Sequence, residues 1–239
     1  MMTLFRHAAA AAALAAATSG ALAASFSATY VVHMAVDATR ASPNNATERA
    51  MVKGAAMLGR FEVATVTDTG SLTGDSFRLT SAGVGSRALR TLIPDDRLEV
   101  DRRSEAVVRD GSLVTLRFSD RRGSSPQITY SADLRRKRYE MRRGADLTHA
   151  GALREAVVDI AALPYLFLGR PAPTAAFAVA YTDAKSIKQA EFQLKRESLQ
   201  IDGRPVAATR LTSAARGPDE PLIEIWLRDE DSFPLRVRV

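Results

Sequence analysis

The chain has 239 residues and no cysteine, and its 33 Lys and Arg residues against 27 Asp and Glu residues give a formal net charge of +6. A chain of this length can bury a substantial core as a single domain. The lack of cysteine excludes disulfide bonds and a lipid-modified cysteine, so the fold must be stabilised by its own core.

The first 23 residues are typical of a secretory signal peptide. Arg6 and His7 form a basic start, an alanine- and leucine-rich run follows, and small residues precede a cleavage site after Ala23, with Ala24 as the next choice. The run is shorter than the roughly 20 apolar residues that span a membrane. An alanine-rich buried helix is the alternative. We expect residues 1–23 to be removed, residues 24–239 to form one domain, and the protein to reside in the periplasm without a lipid anchor.

Period-two alternation dominates the rest of the chain. In residues 26–36 the even positions are apolar and most odd positions are polar, a pattern typical of a half-buried strand. Asp110-Gly111 is a hairpin-turn pair. Further strands are predicted in residues 55–70, 75–83, 97–123, 126–133, 177–183, 188–202, 206–215, 222–229 and 234–239.

Residues 152–171 depart from this alternation. Their apolar residues are spaced by three and four, which predicts a helix, and Pro164 should end or kink it. The apolar positions are Leu153, Ala156, Val157, Ile160, Ala161 and Leu163. Many strands and one helix predict a mainly β fold: a single curved antiparallel sheet, an open or half barrel, with one short helix packed against it.

Such a sheet must cover the apolar face on its concave side, either with the helix or with a bound apolar ligand. Trp226 is interpreted first as a core residue, which would line a pocket only if the sheet is open. The expected lining of an apolar pocket is Tyr30, Val32, Phe77, Leu116, Phe118, Tyr139 and Trp226.

Residues that could carry catalysis are scarce, and no metal or cofactor is expected. After removal of the signal peptide only His33 and His149 remain, without the spacing of metal ligands. Ser76 follows Gly74-Asp75 like the nucleophile of some esterases, but these need a histidine late in the chain. Two acidic groups, Asp95-Asp96 and Asp229-Glu230-Asp231, are interpreted as turn residues. A glycosidase pair stays open, because pairing is spatial.

A basic stretch, "DLRRKRYEMRRG", runs from residue 133 to residue 144. Asp133 to Arg136 should form a turn, after which Tyr139 and Met141 face the interior. Export and the lack of interleaved aromatic residues argue against nucleic-acid binding. The stretch is interpreted as a charged edge that prevents sheet-to-sheet aggregation; contact with an anionic membrane surface is the alternative, through Arg135, Arg136, Lys137 and Arg138.

Several segments resemble the bacterial family called domain of unknown function 3108. They include "GRFEVATV", "SFRLTSAG", "DGSLVTLRFSDRRG", "TYSAD" and the closing "IEIWLRDEDSFPLRVRV", and the resemblance extends over residues 25–239. It implies an exported, largely β protein of unassigned activity, with a shape similar to the open half barrels that carry lipids and lipid-modified proteins. The family helix usually holds Asp and Ser close together. Here Ile160-Ala161-Ala162 follows Asp159, which argues against a polar role for this turn.

These observations predict a non-enzymatic exported protein that binds an apolar or lipid-like ligand, or an exported polypeptide or other envelope component, on the concave face. At most, it touches the membrane peripherally. The alternative is a structural or assembly factor that acts on an envelope protein through its surface. A third alternative is a hydrolase that uses Ser76 or an acidic pair. Fold-level likeness alone does not decide among them.

Overall fold

The computed structural model describes residues 2–9, 23–36, 60–86, 99–214 and 222–238. The first eight strands are β1 (Met2–Ala9), β2 (Ala23–Val36), β3 (Arg60–Thr73), β4 (Ser76–Gly85), β5 (Val100–Arg109), β6 (Ser112–Arg122), β7 (Ile128–Asp133) and β8 (Arg138–Arg143). The next seven are β9 (Asp146–Ala152), β10 (Val157–Asp159), β11 (Phe177–Thr182), β12 (Ile187–Ile201), β13 (Arg204–Ser213), β14 (Glu224–Arg228) and β15 (Pro234–Arg238).

Hydrogen bonds link these strands in the order β10-β11-β12-β13-β14-β15-β1-β2-β3-β4-β5-β6-β7-β8-β9. Neighbouring strands are antiparallel, except that β10 and β11 are parallel. The prediction of a mainly β fold of antiparallel strands is confirmed. The order begins at β10 and ends at β9, so the described strands are not closed into a barrel.

The layer of strands folds back over itself. β10 packs against β6, although eleven steps separate the two strands in the hydrogen-bonded order. On a flat sheet that separation would be roughly 50 Å, at about 4.8 Å for each step. Only residues 153–156 connect β9 to β10, which brings the two edges of the sheet near each other.

The alternation in the sequence is reproduced in the burial of individual strands. Along β4 exposed and buried residues alternate without exception from Ser76 to Gly85. The hairpin between β5 and β6 turns at Asp110 and Gly111, whose φ angles are 49° and 74°. Glycine adopts such positive φ angles without steric cost, and aspartate tolerates them better than most residues.

The predicted helix in residues 152–171 is wrong. The segment contains the end of β9, then β10, and a single turn of 3₁₀ helix at Leu163–Tyr165. Two β-branched residues, Val157 and Val158, favour the strand. The carboxylate of Asp159 then accepts backbone hydrogen bonds two and three residues ahead, which gives the chain an alternative to helical bonding.

Within the ranges that the structure describes, buried apolar residues form two clusters. The main cluster draws on residues 157–168 and on nearly every strand, and we call the sheet face that carries it the inner face. A smaller cluster comprises Leu199, Ala208, Trp226 and Leu235. In β14, Ile225 and Leu227 belong to the main cluster while Trp226 between them belongs to the smaller one, so the smaller cluster lies on the outer face.

β1 lies between β15 and β2 and pairs with both. Its residues fall within the predicted signal peptide. Cleavage near Ala23 would therefore remove a strand from between β15 and β2, and leave an unpaired edge on each.

Candidate ligand-binding site

The inner face is covered by residues 157–170, which we call the inner segment. It begins as β10, turns at residues 160–162 and continues through the 3₁₀ turn to Arg170. From Val157 to Leu166 its residues are buried, apart from the half-buried Ile160. Buried backbone polar groups need hydrogen-bond partners. Two polar side chains of the segment, Asp159 and Tyr165, attach it to the surrounding strands.

Asp159 attaches the start of the inner segment to β5 and β6. Its Oδ2 accepts hydrogen bonds from Ser104 Oγ at 2.5 Å and from Thr115 Oγ1 at 2.8 Å. Its Oδ1 accepts from the backbone N–H groups of Ala161 at 3.0 Å and Ala162 at 2.9 Å. The backbone N–H of Asp159 donates to Thr115 Oγ1 at 2.8 Å. The expectation that this turn has no polar role is therefore wrong, because its partners come from distant strands.

The environment of Asp159 disfavours its charged form. Burial raises the pKa of this carboxyl group, although hydrogen bonds from Ser104, Ala162, Thr115 and Ala161 act in the opposite direction. Burial also raises the pKa of Tyr130, and nearby Tyr139 and Asp159 add to the effect. Asp159 is inaccessible to a solvent-borne substrate, so its arrangement suits an anchor for the segment.

Tyr165 attaches the other half of the inner segment to β2 and β3. Its hydroxyl group donates to Asp68 Oδ2 at 2.8 Å and lies 3.0 Å from the hydroxyl oxygen of Tyr30. Asp68 Oδ1 accepts a second hydrogen bond from Ser81 Oγ at 2.5 Å. All four side chains are buried. Burial raises the pKa of Tyr165, and Tyr30 and Asp68 raise it further, so the phenol remains a hydrogen-bond donor through neutral pH.

The ring of Tyr165 packs against other aromatic rings. Phe26 stacks on it with ring centroids 4.8 Å apart, and Phe233 meets it edge-on at 6.4 Å. The Phe26 ring lies directly over Gly70 of β3, where a Cβ atom would overlap it. Gly70 therefore creates the space in which this aromatic stack forms.

The far end of the inner segment is attached to two turns. Arg170 donates to the carbonyl of Gly111 in the β5–β6 turn, and to that of Leu166 at 2.7 Å. The N–H of Gly169 donates to the carbonyl of Asp231 in the β14–β15 turn at 2.8 Å. The segment is thus bonded at its start, middle and end.

Four of the seven residues expected to line an apolar pocket come together, but around a filled interior. Tyr30, Phe77 and Phe118 are buried in the main cluster, and Tyr139 packs against it. Val32 is also buried on β2, outside both clusters. Leu116 is the extra residue of a bulge in β6, because the consecutive residues Glu105 and Ala106 of β5 pair with Arg117 and Thr115 and skip it. The bulge leaves Leu116 half-buried, beside an open surface cleft.

Trp226 does not join the inner-face residues. It lies in the outer cluster, with the guanidinium groups of Arg236 and Arg210 5.3 Å and 5.9 Å from its ring centroid. Its indole N–H donates to Glu197. Trp226 cannot line a pocket on the inner face, because strand alternation points it to the other side.

A small cavity adjoins the inner segment. It has a volume of about 150 Å³ and is lined largely by apolar residues, among them Leu72, Phe77, Leu113, Tyr165 and Leu166. The cavity lies where the segment leaves the interior towards Arg170. Its size is below the range of about 300–1,000 Å³ typical of sites for drug-sized ligands.

The catalytic alternatives gain no support from the geometry. Ser76 is exposed at the start of β4, and among the described residues its hydroxyl makes no side-chain hydrogen bond that could activate it. Asp231 forms an ion pair with Arg228, and Asp229 accepts a hydrogen bond from Thr209 Oγ1 at 2.7 Å. Asp95-Asp96 lies outside the described residues.

The basic turn has the predicted shape, but the interpretation of this stretch as a charged sheet edge is wrong, because β8 pairs with both β7 and β9. β7 and β8 are joined by residues 134–137, and Met141 is buried while Tyr139 is half-buried. Asp133 Oδ1 accepts the backbone N–H groups of Arg135 and Arg136 at 3.0 Å and 2.9 Å. These hydrogen bonds and the charge of Arg136 lower the pKa of Asp133. The expected contact residues Arg135, Arg136, Lys137 and Arg138 are all exposed.

The polar residues that fix the inner segment were missed in the sequence. Asp68 and Ser81 occupy positions whose neighbours two residues away, such as Val66 and Leu79, are buried. Ser104 stands in the same relation to Ala106. The sequence does contain a signal for them: each is a polar residue at a position of the strand where the alternation predicts an apolar, inward-facing side chain.

No family model matches the chain, and neither a curated protein nor a solved structure is similar enough to indicate a relationship. The resemblance to domain of unknown function 3108 thus stays a prediction. Among the described residues, no helix has the length and apolar character to cross a membrane, and no group of three or more His, Asp or Glu side chains is placed to hold a metal ion.

Proposed function

We propose that this chain is an exported, non-enzymatic protein that binds a component of the cell envelope through its surface. One observation supports a binding site on the surface and not in the interior: the inner segment covers the inner face with the chain's own side chains. Tyr30, Phe77, Phe118 and Tyr165 all have exposures of 2% or less. Asp159 and Tyr165 bond this segment directly to four strands, β2, β3, β5 and β6.

The proposal also covers the arrangement of the strands. We infer that the strands form one curved sheet of the half-barrel type, with the inner segment in the place where a ligand would otherwise lie. The contact between β6 and β10 supports the curvature.

A second candidate is a carrier whose inner segment withdraws to admit an apolar ligand. The cavity of about 150 Å³ beside Tyr165 and Leu166 favours it, because displacement of Leu166 and Leu168 would enlarge an existing apolar space. Withdrawal would, however, break the buried hydrogen bonds of Asp159 and Tyr165.

Native mass spectrometry of protein purified from the envelope without detergent distinguishes the two candidates. If binding is at the surface, the main species should have the mass of the polypeptide alone, and organic extraction should yield no stoichiometric apolar compound. Chemical cross-linking before lysis should recover an envelope component attached at exposed positions. A stoichiometric apolar compound bound to the folded protein would contradict the surface proposal and support the carrier.

The exposed basic turn gives a weaker, separate prediction. Replacing the basic residues of the turn and the first residue of β8 with glutamine (Arg135, Arg136, Lys137 and Arg138) should weaken low-salt binding to anionic vesicles by at most about 1 kcal/mol for each residue. Asp133 reduces the effect, since its carboxylate lies 3.7 Å from Arg136 Nε. Flotation with anionic and neutral vesicles measures the binding, and the contact should fade as salt rises.

A matched control removes the same number of charges from exposed strand positions: Arg78, Arg117, Lys195 and Arg196. Equal binding by the wild type and the turn variant would show that the turn does not contact the anionic surface.

A further inference from the structure

A cleft lies at the other end of β6 from the Asp110-Gly111 turn. It is formed where the ends of β6 and β8 and the starts of β7 and β9 meet the β11–β12 turn. Its volume of about 370 Å³ lies within the range of small-molecule sites. The two ends of the strand order come together here, so the cleft is a product of the way the sheet folds back.

Positive charge dominates the walls of this cleft. Arg122, Arg142, Arg143 and Lys185 line it, against the single carboxylate of Asp120. Cations from separate segments that face one space repel one another. This arrangement therefore stabilises an anion between them more than any one exposed cation would.

Some of these cations are held in place by neighbours. Asp120 is almost fully buried, and its Oδ2 lies 3.1 Å from Arg122 Nη2 and 3.4 Å from Arg102 Nε. Arg142 contacts Glu140 at 3.1 Å and donates to the carbonyl of Ala145 at 3.3 Å. These contacts orient two guanidinium groups on the wall and reduce the entropy that a ligand would have to remove.

Arg143 and Lys185 differ from those two residues. Both are exposed, and neither forms an ion pair within the described ranges. Arg143 ends β8, whereas Lys185 belongs to the turn before β12, so the two approach the cleft from opposite ends of the strand order. A bound anion would therefore stabilise these two charges more than the charges of Arg122 and Arg142, which already have ion-pair partners.

We infer that this cleft binds the phosphate group of a phosphate monoester. Arginine presents several N–H donors in a planar fork that matches phosphate oxygens, and lysine adds a point charge. Arg122 and Arg142 already pair with Asp120 and Glu140. The two remaining cations, Arg143 and Lys185, suit a group that carries close to two negative charges better than a monoanionic carboxylate. Pro126, Ile128 and Ala184 give the cleft an apolar part that fits the carbon skeleton of an ester.

The cleft differs in kind from the basic turn at residues 134–137. In the turn, exposed basic side chains project from a hairpin tip and Asp133 caps the backbone. In the cleft, cations converge from several elements. The inference does not depend on export or on the proposed surface function, and it would stand if either failed.

Isothermal titration of the full chain at low salt with glycerol 3-phosphate, and with glycerol as the neutral probe, tests the inference. Vesicles containing phosphatidate, compared with neutral vesicles, form the second arm, because the same chemical group could come from a lipid headgroup. The decisive variant is Arg143→Gln with Lys185→Gln. Its matched control is Arg78→Gln with Lys195→Gln, two exposed strand positions outside the cleft and the basic turn, and circular dichroism checks that both variants fold.

The wild type should bind the phosphate ester and not glycerol, and the cleft variant should bind it about tenfold or more weakly. The control variant should bind like the wild type. If only phosphatidate vesicles bind, and the cleft variant loses that binding, the source is a lipid headgroup and the inference holds. The inference would be overturned if the wild type bound neither glycerol 3-phosphate nor phosphatidate vesicles, or if the wild type and the cleft variant bound them equally. Arg143→Gln alone provides the same comparison if the double variant does not fold.

Discussion

Replacing Asp159 with alanine should lower the free energy of unfolding by about 3 to 5 kcal/mol. The carboxylate accepts four hydrogen bonds in the interior, and alanine would leave the Ser104 hydroxyl and two backbone N–H groups without that acceptor. Each buried polar group left unsatisfied costs about 1 to 3 kcal/mol. Some of this loss is offset, because a buried carboxylate is itself costly.

Asp159→Asn separates the charge from the shape. The folded state raises the pKa of Asp159 above its ordinary value of 3.8. The folded protein therefore holds this proton more tightly than the unfolded chain does. That contribution to stability is complete below the unfolded pKa and is lost as pH rises through the folded pKa. Asparagine does not ionise, so the cost of the substitution should be greater in acid than at neutral pH.

Urea denaturation at several pH values measures both variants. Asp146→Ala is the control, because Asp146 is an exposed aspartate of β9 and its loss should change stability by less than about 0.5 kcal/mol. An Asp159→Ala cost below about 1 kcal/mol would mean that the inner segment does not depend on this anchor. A cost of Asp159→Asn that rises with pH would contradict the direction of the pKa shift.

The strands could be predicted because one physical pattern determines them. In β4, Phe77 and Leu79 point to one face and Arg78 and Thr80 to the other. Because only one face of the sheet is buried, the strand can take only the orientation that places the apolar pair there. The turn at Asp110-Gly111 could be predicted as well, because it needs residues that accept positive φ angles. The basic turn combined both signals.

The inner segment could not be predicted by the same reasoning. Apolar residues at spacings of three and four indicate one buried stripe only when the other sides are polar. From residue 157 to residue 166 almost every side chain is buried, and periodicity cannot distinguish a helix from another fully buried conformation. Asp159 decided the outcome through Ser104 and Thr115, which lie 55 and 44 residues earlier in the chain.

Two other differences have local causes. β9 was missed because its residues from Asp146 to Ala150 are all exposed, so no alternation of apolar and polar residues marks it. Trp226 was expected to line a pocket with inner-face residues such as Tyr30, although Ile225 and Leu227, its neighbours in the strand, point to the opposite face from Trp226. In that case the sequence contained the information.

Replacing Tyr165 with alanine should also cost about 3 to 5 kcal/mol, as truncation of a buried aromatic residue usually does. The ring stacks on Phe26, and the hydroxyl group bonds to Asp68. Tyr165→Phe keeps the ring and removes the hydroxyl, so it should cost less, about 1 to 3 kcal/mol, chiefly because Asp68 loses a hydrogen-bond donor. Tyr139→Phe is the control: Tyr139 packs against the same cluster, and its hydroxyl makes no hydrogen bond within the described residues.

The pair of Tyr165 variants also tests whether the interior can accept a ligand. Alanine at this position would join the lost ring volume to the adjacent cavity of about 150 Å³, and an apolar cavity of that kind can bind a small apolar molecule. Benzene should therefore raise the melting temperature of Tyr165→Ala and leave that of Tyr165→Phe and of the wild type unchanged. If benzene stabilises the wild type as much as the alanine variant, the inner segment already yields to an apolar guest, and the carrier is the better proposal. If Tyr165→Phe costs as much as Tyr165→Ala, the hydrogen bond to Asp68, and not the packing of the ring, holds the middle of the inner segment.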